Sequence, residues 1–386
     1  MRSCETQLAV TMHDLFKLSD SGKQVDIGIL DFSKAFDVVP HTRLLAKLKF
    51  YGLNPEVIRW IGNFLDGRTQ RVMVDGVFSK EEGVDSGVPQ GTVLGPLLFL
   101  LFIKDITKNL NSGTSIRLFA DDCLLYRAIN SVQDQLLLQQ DLDTLQAWSV
   151  TWGMKFNPSK CNILRTRQGL KGTLNHFYSL HGQILAEVPN AKYLGINISS
   201  DLSWTTHIDY VVKKANQKLG FLKRNLRGCP AASKTLAYTS LIRSGLEYAA
   251  PIWDPHTAKD AARIEAVQRK SARWVKSNYA PRASVTELLK ELKWSSLEDR
   301  RKILRLTLLY KIYNHKVAVD HSEVDLMSNE RPSRQHEHQI RRPRAGPQFS
   351  NSFIIRTIPE WNALPAAVVS ADSVNTFKSQ LVATLP

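Results

Sequence analysis

The sequence predicts a chain in two styles, a mixed α/β part over about residues 1–200 and an all-helical part from about residue 205. Three observations predict it. Up to residue 200, short apolar runs bounded by turn residues alternate with segments of helical spacing. Beyond 205, helical segments follow one another without a strand-like run between them. The excess positive charge changes at the same place: residues 1–200 hold 21 Lys/Arg against 19 Asp/Glu, and residues 201–310 hold 21 against 10.

The elements follow in order. The apolar run 25–31 ends in Asp31 and reads as a buried strand. Helices are expected over 41–50 and 55–65, the second opening on Asn54-Pro55, a capping residue before a first-turn proline. Residues 69–75 and 77–84 read as a hairpin turning at Asp75-Gly76. The loop Gly87-Val-Pro-Gln-Gly91 feeds an apolar helix over about 93–109. Two apolar runs, 116–120 and 123–127, flank Asp121-Asp122 and suggest a second hairpin. A helix over about 131–152 and strands near 161–165, 175–180 and 192–198 complete this part. Helices are then expected over 205–227, 232–248, 258–276, 283–291 and 296–314. The polar stretch 318–350 reads as a linker or exposed arm, followed by a small element over 351–386.

Composition excludes several classes. At 43% hydrophobic and 23% charged the chain is globular in character, not disordered. Its longest apolar run, 93–103, is too short to cross a bilayer, and the N-terminus lacks a secretory apolar region. The expectation is an intracellular protein, in nucleus and/or cytoplasm and not secreted. Cys4, Cys123, Cys161 and Cys229 are dispersed without zinc-ligand spacing, so reduced thiols are expected. The formal charge of +15 lies mainly in residues 201–310, net +11, as expected of a surface that follows a phosphate backbone.

Three aspartates stand at the ends of apolar runs: Asp31 and the adjacent pair Asp121-Asp122. Carboxylates at strand ends project into a cleft while the strand holds them. A cluster of them repels itself unless it binds cations, and hard oxygen ligands select Mg²⁺. Taken alone, Asp-Asp reads first as a mere turn, since Asp is common in loops.

The neighbouring residues add to this. Phe119-Ala-Asp-Asp122 resembles the Phe/Tyr-x-Asp-Asp box of reverse transcriptases, and Asp31-Phe-Ser-Lys-Ala-Phe-Asp37 resembles their first aspartate motif. Ser86-Gly-Val-Pro-Gln-Gly-Thr-Val-Leu-Gly-Pro-Leu-Leu98 is similar to the Pro-Gln-Gly loop between them. Gly153-Met-Lys-Phe-Asn-Pro-Ser-Lys-Cys161 and Tyr193-Leu-Gly195 resemble the two motifs that follow. The order and spacing are those of the family. The wording is closest to LINE-type non-LTR retrotransposons of jockey-like lineage, which Arg243-Ser-Gly-Leu-Glu-Tyr-Ala-Ala-Pro-Ile-Trp253 and Trp361-Asn-Ala-Leu-Pro365 also resemble.

The resemblance implies a polymerase palm, an antiparallel sheet with helices in the split βαβ style, followed by an all-α thumb. It implies a remnant of the fingers over 1–24, the palm over 25–200, the thumb over 201–317, a basic linker over 318–350 and a small C-terminal element over 351–386. It implies RNA-directed DNA synthesis on an RNA template from a DNA primer and deoxynucleoside triphosphates. Asp31, Asp121 and Asp122 would hold two Mg²⁺ ions for phosphoryl transfer. Phe36 matches the aromatic that excludes a ribose 2′-hydroxyl, though a core aromatic reads the same. Gln90 and Gly91 match residues at the incoming nucleotide, and Lys160 matches a proposed general acid, though Asn157-Pro-Ser-Lys160 is also a plausible capped turn. Tyr193 would lie near the primer terminus. Lys213, Lys214, Lys218, Lys223, Arg224 and Arg227, on one helix, would follow the duplex backbone; a solvated face is the plainer reading. Trp148, Trp152, Trp253 and Trp274 are expected in the core.

Only 30 residues precede Asp31, where the family places cationic finger segments, so an N-terminally truncated and weakly active or inactive fragment is expected. A nucleic-acid-binding remnant without catalysis is one rival reading. An RNA-dependent RNA polymerase is another, but it normally carries Gly-Asp-Asp and lacks Pro-Gln-Gly and the aromatic gate.

Overall fold

The structure, a computed structural model, describes residues 2–166, 174–329 and 336–384. It forms two compact units, Lys23–Tyr193 and a second made of Met1–Gly22 with Leu194–Pro386. Helix α1 (Cys4–Asp20) belongs to the second unit, and strand β1 (Gln24–Leu30) opens the first.

In the first unit β1 is followed by α2 (His41–Phe50), α3 (Pro55–Leu65) and α4 (Leu94–Ile103). Strands β2 (Thr114–Phe119) and β3 (Asp122–Ile129), helix α5 (Val132–Trp152), β4 (Asn162–Thr166) and the short β5 (Ala186–Glu187) complete it. The sheet order is β5-β4-β1-β3-β2, so β1 lies at the centre. Neighbouring strands run antiparallel except β5, which pairs with β4 in parallel. The sheet is therefore mixed, a correction to the antiparallel expectation that turns on one two-residue edge strand. Asn54 caps α3 by accepting from the Glu56 amide, with Pro55 in the first turn. The hairpin after α3 turns on Asp75-Gly76, both at positive φ as a two-residue turn of matching twist requires. Helix α4 ends at Ile103, six residues before the sequence signal suggests.

Helices α2, α4 and α5 supply Leu44, Leu48, Leu98, Phe99, Leu138 and Leu142 to one core with Leu30, Phe32 and Cys123. Trp148 and Trp152 pack at its edge. Inside the sheet, Asp26 is fully buried; it accepts from Arg165 Nε at 3.2 Å, Tyr178 Oη at 2.7 Å and Gln24 Nε2 at 2.8 Å. A carboxylate removed from water needs such partners.

In the second unit α1 starts on a capping box between Ser3 and Thr6 and buries residues nearly all round, including Thr6, Gln7, Thr11 and His13. It packs on the short helices Ala250–Trp253 and Pro347–Ser350. Within the segment expected as a fingers remnant, α1 thus contributes to the core of the helical unit. Helices α6 (Thr205–Asn225), α7 (Ala231–Ala237), α8 (Ala258–Val275), α9 (Val285–Glu291), α10 (Leu297–Tyr313), α11 (Phe353–Asn362) and α12 (Val374–Thr384) follow. Between α7 and α8 the helix expected over 232–248 passes through a π-helical turn at Tyr238–Arg243. Trp253 and Trp274 are in the core. The segment 318–350 is not an exposed arm where described: Val319, Val324, Leu326, Ile340 and Phe349 are buried. Residues 330–335 of it, with Arg331 and Arg334, lie outside the described residues. No helix among the described residues is long and apolar enough to cross a membrane.

Candidate active site

Strands β1, β3 and β2 bring the three aspartates together. Leu30 of β1 pairs with Cys123 of β3, so the next residues outward on each strand, Asp31 and Asp122, leave the sheet side by side at one rim. Phe119 pairs with Asp122, which makes Ala120-Asp121 a two-residue turn. Ala120 carries φ +51, a left-handed conformation that costs a non-glycine residue roughly 1–2 kcal/mol. The Asp122 carboxyl stands above the usual carboxylate range, chiefly through partial burial and then through the charges of Asp121 and Asp31, with Lys192 pulling it back.

Asp31 is also held from behind. Its carbonyl accepts from the Asn157 amide at 2.8 Å, and its amide donates to Cys161 Sγ at 3.4 Å. The turn thus pinned carries Lys160, whose Nζ is 3.3 Å from Asp31 Oδ2 in an ion pair. Asp31 Oδ2 has no hydrogen-bond partner. This donor set suits a hard divalent cation: three carboxylates, one raised by partial burial and then by its neighbours' charges, one with an oxygen met only by the Lys160 ammonium. Among the described residues, no three His, Cys, Asp or Glu side chains are arranged to hold an ion.

The loop from Ser86 to Gln90 is strapped to the segment after Asp31. The Val88 amide donates to Phe36 O, the Gly87 amide to Val39 O, and Ser86 Oγ to Asp37 O, each at 2.8 Å. Gly87, at φ +88, could not carry a side chain, since a Cβ would lie 2.7 Å from Asp37 O. Phe36 is half-buried and stacks on the buried Phe99 with centroids 4.5 Å apart, so it stands at the edge of the core. Gln90 is exposed and donates its amide nitrogen to Asp37 Oδ1 at 3.2 Å; Gly91 beside it has φ +78 and open space where a Cβ would be. Lys34, Asp37, Arg68 and Gln90 border a cleft of about 990 Å³.

The remaining expected residues divide. Tyr193, expected near the primer terminus, is buried at 2% exposure. In the second unit the cations of α6 do not share one face. Lys214 and Lys218 border a cavity of about 330 Å³ with Gly195 and Tyr248, and Lys218 Nζ donates to Leu241 O. Lys223 lies on the flank toward α8, near Lys270 and over the ring of Tyr279. Lys213, Arg224 and Arg227 are exposed. His207, beneath Lys214, accepts from the Asn197 amide through Nδ1, and burial pushes its pKa down to about 4.

The profile of the reverse transcriptase (RNA-dependent DNA polymerase) family matches residues 2–198. The chain belongs to this family. The reverse transcriptase chain is 29% identical to the RNA-directed DNA polymerase from mobile element jockey of Drosophila funebris, over 63% of this chain and 27% of the relative. It is 28% identical to the probable RNA-directed DNA polymerase from transposon BS of Drosophila melanogaster, over 68% of this chain and 30% of the relative. The matched region therefore spans less than a third of these relatives. Telomerase from Candida tropicalis, solved with the TWJ fragment of telomeric RNA, superimposes at TM-score 0.38 with 8% identity, over 97% of this chain and 52% of that one, an overlay too loose to bear on function.

Reading the reverse transcriptase motifs alone misses several contributors. Asp37 fixes the Gln90 amide, and its only sequence signal is its place as the second aspartate of the first motif. Lys192 tempers Asp122 from the residue before Tyr193. The division of α6 into two flanks depends on what packs beside each one, which the spacing of lysines does not report.

Proposed function

We propose that this chain is the catalytic part of an RNA-directed DNA polymerase of a jockey-like non-LTR retrotransposon, copying an RNA template from a DNA primer. The observation that carries this reading is the meeting of Asp31 with Asp121 and Asp122 at one rim of the sheet. Residues 25–200 act as palm and 201–317 as thumb. Two Mg²⁺ ions held by the three carboxylates supply activation of the primer 3′-hydroxyl and stabilisation of the leaving pyrophosphate. Lys160, at Asp31, is placed to donate a proton to that leaving group. Phe36, braced by Phe99, presents a rigid ring beneath the deoxyribose. Gln90, its nitrogen taken by Asp37, offers its carbonyl oxygen and Gly91 its backbone to the nucleotide. Lys214 and Lys218 follow the phosphates of the template–primer duplex. An enzyme of this kind acts inside the cell, in nucleus and/or cytoplasm.

The test is primer extension on an RNA template with Mg²⁺, the chain against its Asp121→Asn variant. Extension should fall on the order of a thousandfold, the loss of several kcal/mol of charge stabilisation. A readout independent of turnover is thermal unfolding: Mg²⁺ should raise the midpoint of the native chain and not that of the variant. No extension, together with no Mg²⁺ shift, would sink the catalytic reading. In an active chain, Phe36→Ala should weaken discrimination against ribonucleotides at least about tenfold.

A further inference from the structure

Many cations of the helical unit already have a partner. Arg263 pairs with Asp209 and Asp260, Lys276 with Glu291, Lys290 with Glu287 and Arg300 with Glu247. Arg273 donates to the carbonyls of Ala280 and Ala283. Lys223 and Lys270 differ. Their helices, α6 and α8, pack together, the charge of Lys270 reaches Lys223, and neither has an acidic partner among the described residues. Lys223 is half-buried there, and its pKa lies below the usual lysine value, first through burial and then through the charge of Lys270. Two ammonium groups set together at the cost of mutual repulsion make a ready site for an anion. Beside them Tyr279 is 58% exposed, its ring centre 5.7 Å from Lys223 Nζ.

Two phosphate-binding charges next to a solvent-facing aromatic ring is the composition of a surface for unpaired nucleic acid, in which the backbone meets cations and a base stacks on the ring. A duplex offers no free base face to such a ring. The flank with Lys214 and Lys218 lies beside Gly195 and Tyr248, on the opposite side of α6 from Lys223. We propose that Lys223, Lys270 and Tyr279 form a second polynucleotide surface that holds an unpaired strand, separate from the flank carrying Lys214 and Lys218. The word "second" rests on the proposed reading of that flank as the duplex side.

The experiment measures binding of the whole chain, across a range of salt, to a labelled uridine homopolymer and to a labelled RNA–DNA duplex. Combining Lys223→Gln with Lys270→Gln should weaken homopolymer binding roughly tenfold and reduce its salt slope by about 1.4, about 0.7 for each phosphate that is no longer neutralised. Duplex binding should stay within about twofold. Tyr279→Ala should weaken the homopolymer roughly fivefold to a hundredfold and leave its salt slope unchanged, since stacking releases no counterion. Equal losses on both probes would overturn the proposal by showing one shared surface, and unchanged homopolymer binding would return Lys223 and Lys270 to solvated charge. Combining Lys214→Gln with Lys218→Gln is the comparator and should weaken the duplex alone. If it leaves the duplex unaffected while the Lys223 and Lys270 pattern holds, the duplex assignment fails and the unpaired-strand surface stands.

Discussion

The two ends of strand β1 put the same side chain to opposite uses. Asp26, near its start, is sealed in the sheet with a guanidinium, a phenol and an amide occupying its oxygens. Asp31, just past its end, stands at the open rim with two further carboxylates and one exposed lysine. Five residues separate a charge the fold seals among three donors from a charge it pairs only with an exposed lysine. What decides between them is the number of donors the neighbouring strands deliver, which neither residue type nor strand membership predicts.

The comparison breaks most decisively at Asp26. Asp26→Ala should lower the unfolding free energy by about 3–5 kcal/mol, because Arg165 is then buried without its carboxylate. Urea denaturation measures it, and a loss below about 1 kcal/mol would show that Glu187, 2.5 Å from Arg165, carries the pair alone. His207 tests whether the same rule extends to a group kept neutral. Its folded pKa, about 4, lies below the ordinary histidine value, so the unfolded chain takes up more protons between the two. Stability is then complete above about pH 6.5 and declines as pH falls toward 4, by a total of about 3 kcal/mol. Denaturation at pH 5 and pH 7 should show this slope in the native chain and lose it in His207→Gln. Ala120→Gly should raise stability by about 1 kcal/mol by relieving the left-handed residue, and a decrease would mean the turn is not strained. The smallest effect belongs to the open rim: Asp122→Asn should change stability by less than about 0.5 kcal/mol, in the stabilising direction, as repulsion is removed. A clear destabilisation there would make Asp122 a structural residue after all.

Cysteine reactivity sharpens the same contrast between interior and rim. Cys123 and Cys161 are buried, with both thiols pushed up by that burial, whereas Cys4 and Cys229 are half-exposed. An alkylating reagent should label Cys4 and Cys229 in the native chain and reach Cys123 and Cys161 only on unfolding, as peptide mass mapping will show.

The elements legible in the sequence are those whose signal is local. The strand at β1, helices α2 and α3 with the Asn54-Pro55 start, and the Asp75-Gly76 turn all rest on residues within a few positions of one another. The carboxylate rim was legible through its motifs, and the register of Leu30 with Cys123 supplies the physical reason they meet. Helix α1 left no periodic signal because it is buried on most sides, with threonine, glutamine and histidine inside. The burial of Val319, Val324, Leu326, Ile340 and Phe349 was hidden by the polar residues around them, which spread these few apolar positions too thinly to show a period. The Asp26–Arg165 pair spans 139 positions, and no local pattern announces a partner at that distance.

The hairpin that carries Asp121 has a property of its own as an object of change. Its turn is two residues long, and from Cys123 to Arg127 every residue of β3 is buried, so both faces of that strand are packed. Losing or gaining a single residue there would not shift the acid slightly; it would exchange the side chains packed on the two faces of β3 along the strand. The Asp75-Gly76 hairpin, whose Val72, Met73, Val74 and Val77 all face solvent, has no inside to exchange. Insertions and deletions of one residue should therefore survive freely in the Asp75-Gly76 hairpin and be absent from the Asp121 hairpin, so that length variation alone, without regard to residue identity, tells a packed turn of this sheet from a solvent-facing one.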